Sequence, residues 1–206
     1  MKTDKNKIYL ASKSPRRREL LRQVDIEFEL LLLRTDGPRG ADVTEAVNPG
    51  ESPLDYVARV AIEKAAFAWS VVQSRHLPLR PVLAADTTVT IDGEILGKPT
   101  NKEEAVAMLR RLSGRTHEVL TSVAVHSLDF SGQITQVSQV RFAALSEAAI
   151  AAYCTTQEPY DKAGGYGIQG LAALFVERIE GSHSGIAGLP LFETAQLLRQ
   201  AGLPLP

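Results

Sequence analysis

The chain has 206 residues, enough for one domain with a sizeable core. Its 23 Lys and Arg against 24 Asp and Glu leave a formal charge of -1, which argues against a general nucleic-acid binder, because such proteins carry a strong basic excess. Hydrophobic residues make up an ordinary 44%, no stretch approaches the roughly 20 apolar residues of a membrane span, and a single cysteine, Cys154, excludes an intramolecular disulfide.

In chain order, MKTDKNKIYLASKSPRR is polar, and its apolar run is too short for a signal peptide, so a cytoplasmic location is expected. Residues 7–11 read as a short buried strand. Ser14 and Pro15 read as N-cap and first residue of a helix running over 16–24. Residues 28–33, FELLLL, form a second strand. The stretch 34–50 holds Gly, Pro and acidic residues without a period, which is a long loop. Ser52-Pro53 opens a helix to about Val72. Residues 81–92 read as a strand that turns at Asp92-Gly93 into EILGK. Thr100-x-x-Glu103 has capping-box spacing before a helix to about Leu112. Two strands follow over 117–127 and 132–145. Ser146 caps a helix through Tyr153, where Cys154 serves as a small hydrophobe. PYDKAGGYGIQG is a glycine-rich loop, residues 172–181 read as a strand, and 190–200 as the last helix. Helices alternate with strands, but several strands are hairpin neighbours. The fold class is therefore α/β, a single domain over 1–206 with a mixed twisted sheet, flanking helices and a cleft.

Three stretches point to chemistry. Arg16, Arg17 and Arg18 stand in a first helical turn, against the preference for acidic residues there, which suits an anion at that helix end; a solvated basic face is the alternative. Asp86 emerges from the apolar strand LAADTTV, where a carboxylate is costly unless it is hydrogen-bonded, metal-bound or catalytic. The loop YDKAGGYGIQG sets Asp161, Lys162 and Gln169 among glycines that permit close approach of a ligand. It matches neither a Walker motif nor a dinucleotide fingerprint. His117 reads as structural, and helix-borne Arg110 and Arg111 as surface charge. Cations for phosphates and carboxylates for metal or water are what phosphate-ester hydrolysis needs.

Taken in order, LASKSPRRREL, AIEKA, AADTTV, DGEILGKP, MLRRLSGRTHEVLTSVAV, EPYDKAGGYGIQG and GLPL resemble the Maf family of nucleoside triphosphate pyrophosphatases over residues 8–194. The resemblance implies a split sheet related to the fold of ITP pyrophosphatase. It also implies hydrolysis of a nucleotide to monophosphate and pyrophosphate with Mg²⁺ or Mn²⁺, and a homodimer. Asp86 matches the family's proton acceptor. Arg16, Thr87 and Gln169 match positions that set substrate choice, in the combination of the dTTP/UTP subgroup. Lys64, Lys98, Asp161 and Lys162 match further pocket positions, while Ser12, Ser14 and Arg17 lie where phosphate is expected. Metal is expected on Asp86 together with an acidic residue of the 34–50 loop. Asp36 stands nearest the family's place, and Asp42 and Glu45 are the other choices, because this loop is longer than the family pattern. Relatives are also linked with arrest of septum formation, so a nucleotide-binding regulator without turnover is the rival reading. A nucleic-acid module is disfavoured by the net charge and by an aromatic content of only 6%.

Overall fold

In this computed structural model, residues 7–34 and 40–206 are described. Strand β1 (Lys7–Leu10) is almost wholly buried and feeds helix α1 (Pro15–Gln23). Ser14 Oγ accepts from Arg17 N at 3.5 Å, and proline is free of penalty at the first helical position, where an N–H lacks a helical partner anyway. The chain returns as β2 (Glu27–Leu30), parallel to β1 and shorter than the apolar run predicts. Helix α2 (Pro53–Ser74), capped by Ser52 Oγ on Asp55 N at 3.1 Å, then carries the chain past β1. Strand β3 (Val82–Ile91) pairs with the other side of β1, again in parallel. At Asp92 and Gly93 φ is 56° and 78°, the left-handed pair a tight hairpin needs, and β4 (Glu94–Leu96) folds back on β3.

Helix α3 (Lys102–Leu112) starts one residue later than the Thr-x-x-Glu spacing suggests. Asn101 Oδ1 accepts from Glu104 N at 2.8 Å, and the Glu104 carboxylate reaches back to Thr100 N at 2.8 Å. The box is therefore built on Asn101 and Glu104. Strands β5 (Thr116–His126) and β6 (Ser131–Phe142) form a long antiparallel pair, followed by α4 (Glu147–Tyr153). The predicted strand over 172–181 is only half strand. Residues Leu171–Phe175 form a 3₁₀ turn, and β7 (Val176–Glu180) begins after it. A short helix α5 (His183–Ile186), capped by Ser182, precedes α6 (Leu191–Gln200).

The seven strands form one mixed sheet in the order β2-β1-β3-β5-β6-β7, with β4 beside β3. Strand alternation divides the apolar residues between two faces. Tyr9, Val82 and Ala84 pack under Ala61, Ala65, Ala68 and Trp69 of α2. Ile8, Leu10, Leu83 and Ala85 face the opposite core with Leu21 of α1, Leu109 of α3 and Leu198 of α6. The small alanines at i, i+4 and i+7 let α2 lie close on the sheet. No helix among the described residues is long and apolar enough to cross a membrane.

One core group has a measurable signature. Burial pushes the His117 imidazole down to about 4. The unfolded chain, with a histidine near 6.5, binds a proton there that the native state refuses, so native stability falls as pH drops from about 6.5 to about 4. At about 1.4 kcal/mol per unit this group contributes about 3 kcal/mol, fully present above 6.5. His117→Phe is expected to flatten that part of the curve. Urea midpoints of both proteins at neutral and acid pH check this, and equal acid losses in the two would refute it.

The sheet also explains the cleft. Strands β1 and β3 pair only at Tyr9↔Val82 and Leu10↔Leu83, and β4 joins the same edge of β3 only from Val89 onward. Between them, residues 84–88 of β3 have no strand neighbour on that side among the described residues. The gap opens where the chain crosses from β2 over β1 to β3, a reversal of strand order at which α/β sheets bind ligands.

Candidate active site

Asp86 stands at this gap, 8% exposed, on the α2 side of β3. Lys64 of α2 reaches it, with Nζ 2.8 Å from Asp86 Oδ1. The same ammonium lies 2.7 Å from Glu45 Oε1. Glu45 comes from the aperiodic loop, which α2 fastens down. Tyr56 Oη donates to Glu45 O at 3.1 Å, Arg59 Nη2 donates to Ala46 O at 2.9 Å, and Arg59 forks onto Glu51 at 2.6 and 2.9 Å. Burial works against ionisation of Glu45, but Lys64, then Lys98 and Arg17, outweigh it and hold the carboxyl below its ordinary value. One proton of Lys64 Nζ and the Oδ2 of Asp86 make no hydrogen bond among the described residues, so both are available to a ligand.

Of the two acidic residues of this loop that are described, Asp42 and Glu45, it is Glu45 that sits beside Asp86. Asp42 instead takes Arg34, through Nε at 2.7 Å and Nη2 at 2.5 Å, on the surface. Asp36 lies outside the described residues.

The arginines divide by direction, because successive helical residues point about 100° apart. Arg17 turns into the gap. Its Nη1 donates to Ala85 O at 2.8 Å and to Ser12 Oγ at 3.2 Å, its Nε to Gly188 O at 2.7 Å, and its Nη2 to Thr87 Oγ1 at 3.2 Å. The carbonyls of Pro81 and Leu83 accept from β1 and the residue after it, Tyr9 N and Ala11 N, and Ala85 O is the next rung of that edge. Arg17 thus takes over where β1 stops, satisfying a backbone group that a strand would otherwise pair. Four of its five donors are engaged by the protein, which leaves one for a ligand. Burial lowers the pKa of this guanidinium, and the nearby Asp86 carboxylate works against that.

Arg16 turns towards the glycine loop. A Cβ built at Gly167 would fall 3.4 Å from Arg16 Nη1 and 2.8 Å from Lys162 Cε, so these two cations converge on a glycine. Lys162 Nζ also donates to Glu158 O at 2.8 Å and pairs with Asp161, whose carboxylate is exposed. The Arg18 side chain makes no hydrogen bond among the described residues, and its Nε is buried. Thr87, on the face opposite Asp86, lies 3.0 Å from Thr121 Oγ1, so its hydroxyl belongs to the floor of the gap. Ser12 Oγ accepts from Ser14 N at 3.2 Å and shapes the turn into α1. Lys98, just past β4, and Gln169 are exposed, and neither side chain is hydrogen-bonded among the described residues. The glycine loop is seated beside β4 by Gly164 N, which donates to Gly97 O at 3.0 Å.

The structure therefore brings together Asp86, Lys64, Arg17, Ser12, Ser14 and Thr87 from the predicted set, seats Glu45 of the loop candidates with them, and places Arg16 against Lys162. Two carboxylates beside several cations can hold a hydrated divalent ion and a phosphate chain. Among the described residues no group of three or more His, Cys, Asp or Glu could hold a metal by itself. The Asp86 and Glu45 carboxylates are hard oxygen donors, the type that Mg²⁺ or Mn²⁺ takes one or two of before completing its shell with water and substrate phosphates.

A family model described as Maf-like protein matches residues 7–201. The dTTP/UTP pyrophosphatase of Aromatoleum aromaticum is 54% identical, with all of both chains covered. That of Chromobacterium violaceum is 50% identical, again with full coverage of both, and that of Burkholderia pseudomallei is 56% identical over 94% of this chain and 93% of its own. Among solved structures, a HAM1 protein from Coxiella burnetii aligns with a TM-score of 0.45 and 18% identity over 66% of this chain and 73% of that one. A match that spans nearly every described element, with relatives 50–56% identical over at least 93% of both chains, means that the chain belongs to the Maf family.

Proposed function

We propose that the chain hydrolyses dTTP and UTP to the monophosphate and pyrophosphate. The observation that carries this reading is the Glu45–Lys64–Asp86 chain at the split of the sheet, with Arg17 of α1 and Lys98 near enough to act on its carboxylates. The names of relatives at 50–56% identity support the choice of substrate and favour turnover over a binding-only regulator. Asp86 Oδ2 orients a water and takes its proton. The water oxygen bonds to the α-phosphorus as the bond to the bridging oxygen breaks, and pyrophosphate leaves with that electron pair. Lys64, held between two carboxylates, points its remaining proton at the phosphoryl oxygens, and Arg16, Lys98 and Lys162 offset charge along the chain of phosphates. Asp86 and Glu45 are the residues here that would hold Mg²⁺ or Mn²⁺, which would offset part of the triphosphate charge and assist the leaving group. Gln169 offers a donor and an acceptor on one amide, matching O4 and N3–H of thymine or uracil. Thr87, its hydroxyl engaged by Arg17 and Thr121, influences substrate choice through the set of the floor.

A panel of dTTP, UTP, CTP, ATP and GTP with product identification tests this. Turnover is expected to be best with dTTP and UTP, weaker with CTP and poor with the purines, to give monophosphate and pyrophosphate, and to vanish with EDTA and return with Mg²⁺ or Mn²⁺. Diphosphate and orthophosphate as products would place the attack at the γ-phosphorus and overturn the mechanism. A preference for GTP would overturn the substrate.

A further inference from the structure

The glycine loop carries Lys162 and Gln169, yet glycines give a chain freedom rather than a fixed shape. Three side chains that lie outside the Asp86 cluster remove that freedom. Glu158 closes the base. Its Oε2 accepts from Leu171 N at 2.8 Å, and its Oε1 from Ala172 N at 3.1 Å and from Tyr153 Oη at 3.0 Å. A Cβ at Gly170 would lie 2.3 Å from Glu158 Oε2, so the carboxylate occupies the space that glycine leaves. The carbonyl of the same residue accepts from Lys162 Nζ, which ties the loop's cation to the same point.

Tyr166 fastens the middle. It is 5% exposed, and its Oη lies 2.7 Å from His117 Nε2 on the long β5 strand. Both rings stand edge-on to Phe142, at 5.1 and 4.8 Å between centroids. His117 Nδ1 has no partner among the described residues. With the tyrosine donating to Nε2, the only polar group left over in the pair is the Nδ1 proton. The reverse arrangement strands both the tyrosine proton and the Nδ1 lone pair, so the first is favoured. Gln169 stands between these anchors, three residues after Tyr166 and two before Leu171.

We propose that Glu158 and the His117–Tyr166 pair are positioning residues for base selection, holding residues 162–170 in the one conformation that presents Lys162 and Gln169 to the nucleotide. The proposal rests on the pyrimidine-nucleotide reading above. It explains how an exposed glutamine on a glycine-rich segment can discriminate at all, since a mobile amide would pair with any base that approached it.

The test uses Tyr166→Phe, which keeps the ring and its packing and removes only Oη, together with Glu158→Ala and Glu158→Gln. Amide hydrogen exchange is followed in the 159–171 segment and in β3, and kcat and KM are measured separately for dTTP and CTP. In Tyr166→Phe and Glu158→Ala, loop exchange is expected to quicken about tenfold with β3 unchanged, the scale of one lost hydrogen bond in a locally opening segment. The KM for dTTP should rise about tenfold, kcat should fall by no more than about threefold, and the preference for dTTP over CTP should shrink by about threefold or more. Glu158→Gln, which keeps one acceptor oxygen, should recover part of each effect. Unchanged loop exchange, or faster exchange with the base preference intact, would overturn the proposal. A wild type that ignores dTTP fails the functional reading instead, and the two failures are told apart because exchange reports on the clasp without substrate. Should Tyr166→Phe fold poorly, the two Glu158 variants carry the same comparison.

Discussion

Asp86→Asn is expected to lower kcat for dTTP by about a hundredfold or more, the scale of losing a positioned general base, while the fold survives. The asparagine keeps the shape that β3 and α2 have packed around. Its remaining oxygen still accepts from Lys64 Nζ at the place where Asp86 Oδ1 sits 2.8 Å away, and Lys64 keeps its second partner, Glu45, at 2.7 Å. No buried charge is stranded, so the urea midpoint should move little. What disappears is the Oδ2 lone pair that faces the gap and the negative charge that favours a cation there. The proton acceptor and one hard ligand are lost together, and a titration with Mg²⁺ separates them. If kcat stays low when Mg²⁺ saturates the variant, the loss is that of the base. Turnover within about threefold of wild type would remove Asp86 from the proton-acceptor role.

Elements whose signals are local were legible in the sequence. Ser14-Pro15, Ser52-Pro53 and Ser146 each cap the helix they announce, because a cap is made by a side chain and a backbone amide three residues apart. Asp92-Gly93 makes its turn for the same reason. Features that depend on distant parts of the chain were not. Residues 171–175 have the apolar content of a strand, but a carboxylate thirteen residues earlier caps their first amides and winds them into a 3₁₀ turn. Glu45 sits in a loop without a period, and only Tyr56 and Arg59 on α2 show where that loop is fastened. Helix α5 hides in GSHSGIAG, a run whose composition reads as loop, although Ser182 Oγ accepts from Gly185 N at 3.0 Å. Among the three adjacent arginines, helix geometry and the family resemblance set Arg16 apart from its two neighbours, but the direction and partners of Arg17 were not legible. Their fates differ only because α1 turns one towards β3 and another towards Gly167.

Arg17→Met is expected to cost about 2–4 kcal/mol of stability and to depress kcat/KM for dTTP by at least about tenfold. The stability figure is the scale of leaving two buried carbonyls without donors, and a tenfold loss corresponds to the set of one binding contact. Ala85 O and Gly188 O lie among residues excluded from solvent and take their donors from this one guanidinium, at 2.8 and 2.7 Å. Methionine fills the volume without supplying an N–H. Arg17→Lys sharpens the test because it keeps the charge beside Asp86 and Glu45. An ammonium radiates its donors from one atom, whereas Arg17 spans Ala85, Gly188, Ser12 and Thr87 at once, so lysine can serve only part of that set. It should therefore fall between wild type and methionine in both urea midpoint and kcat/KM. The floor then loosens under Thr87 and under the turn that starts α1, so KM should rise along with the fall in kcat. A lysine variant indistinguishable from wild type would show that charge alone is needed at this position. In that case the split edge of β3 is held open by some means other than the Arg17 guanidinium.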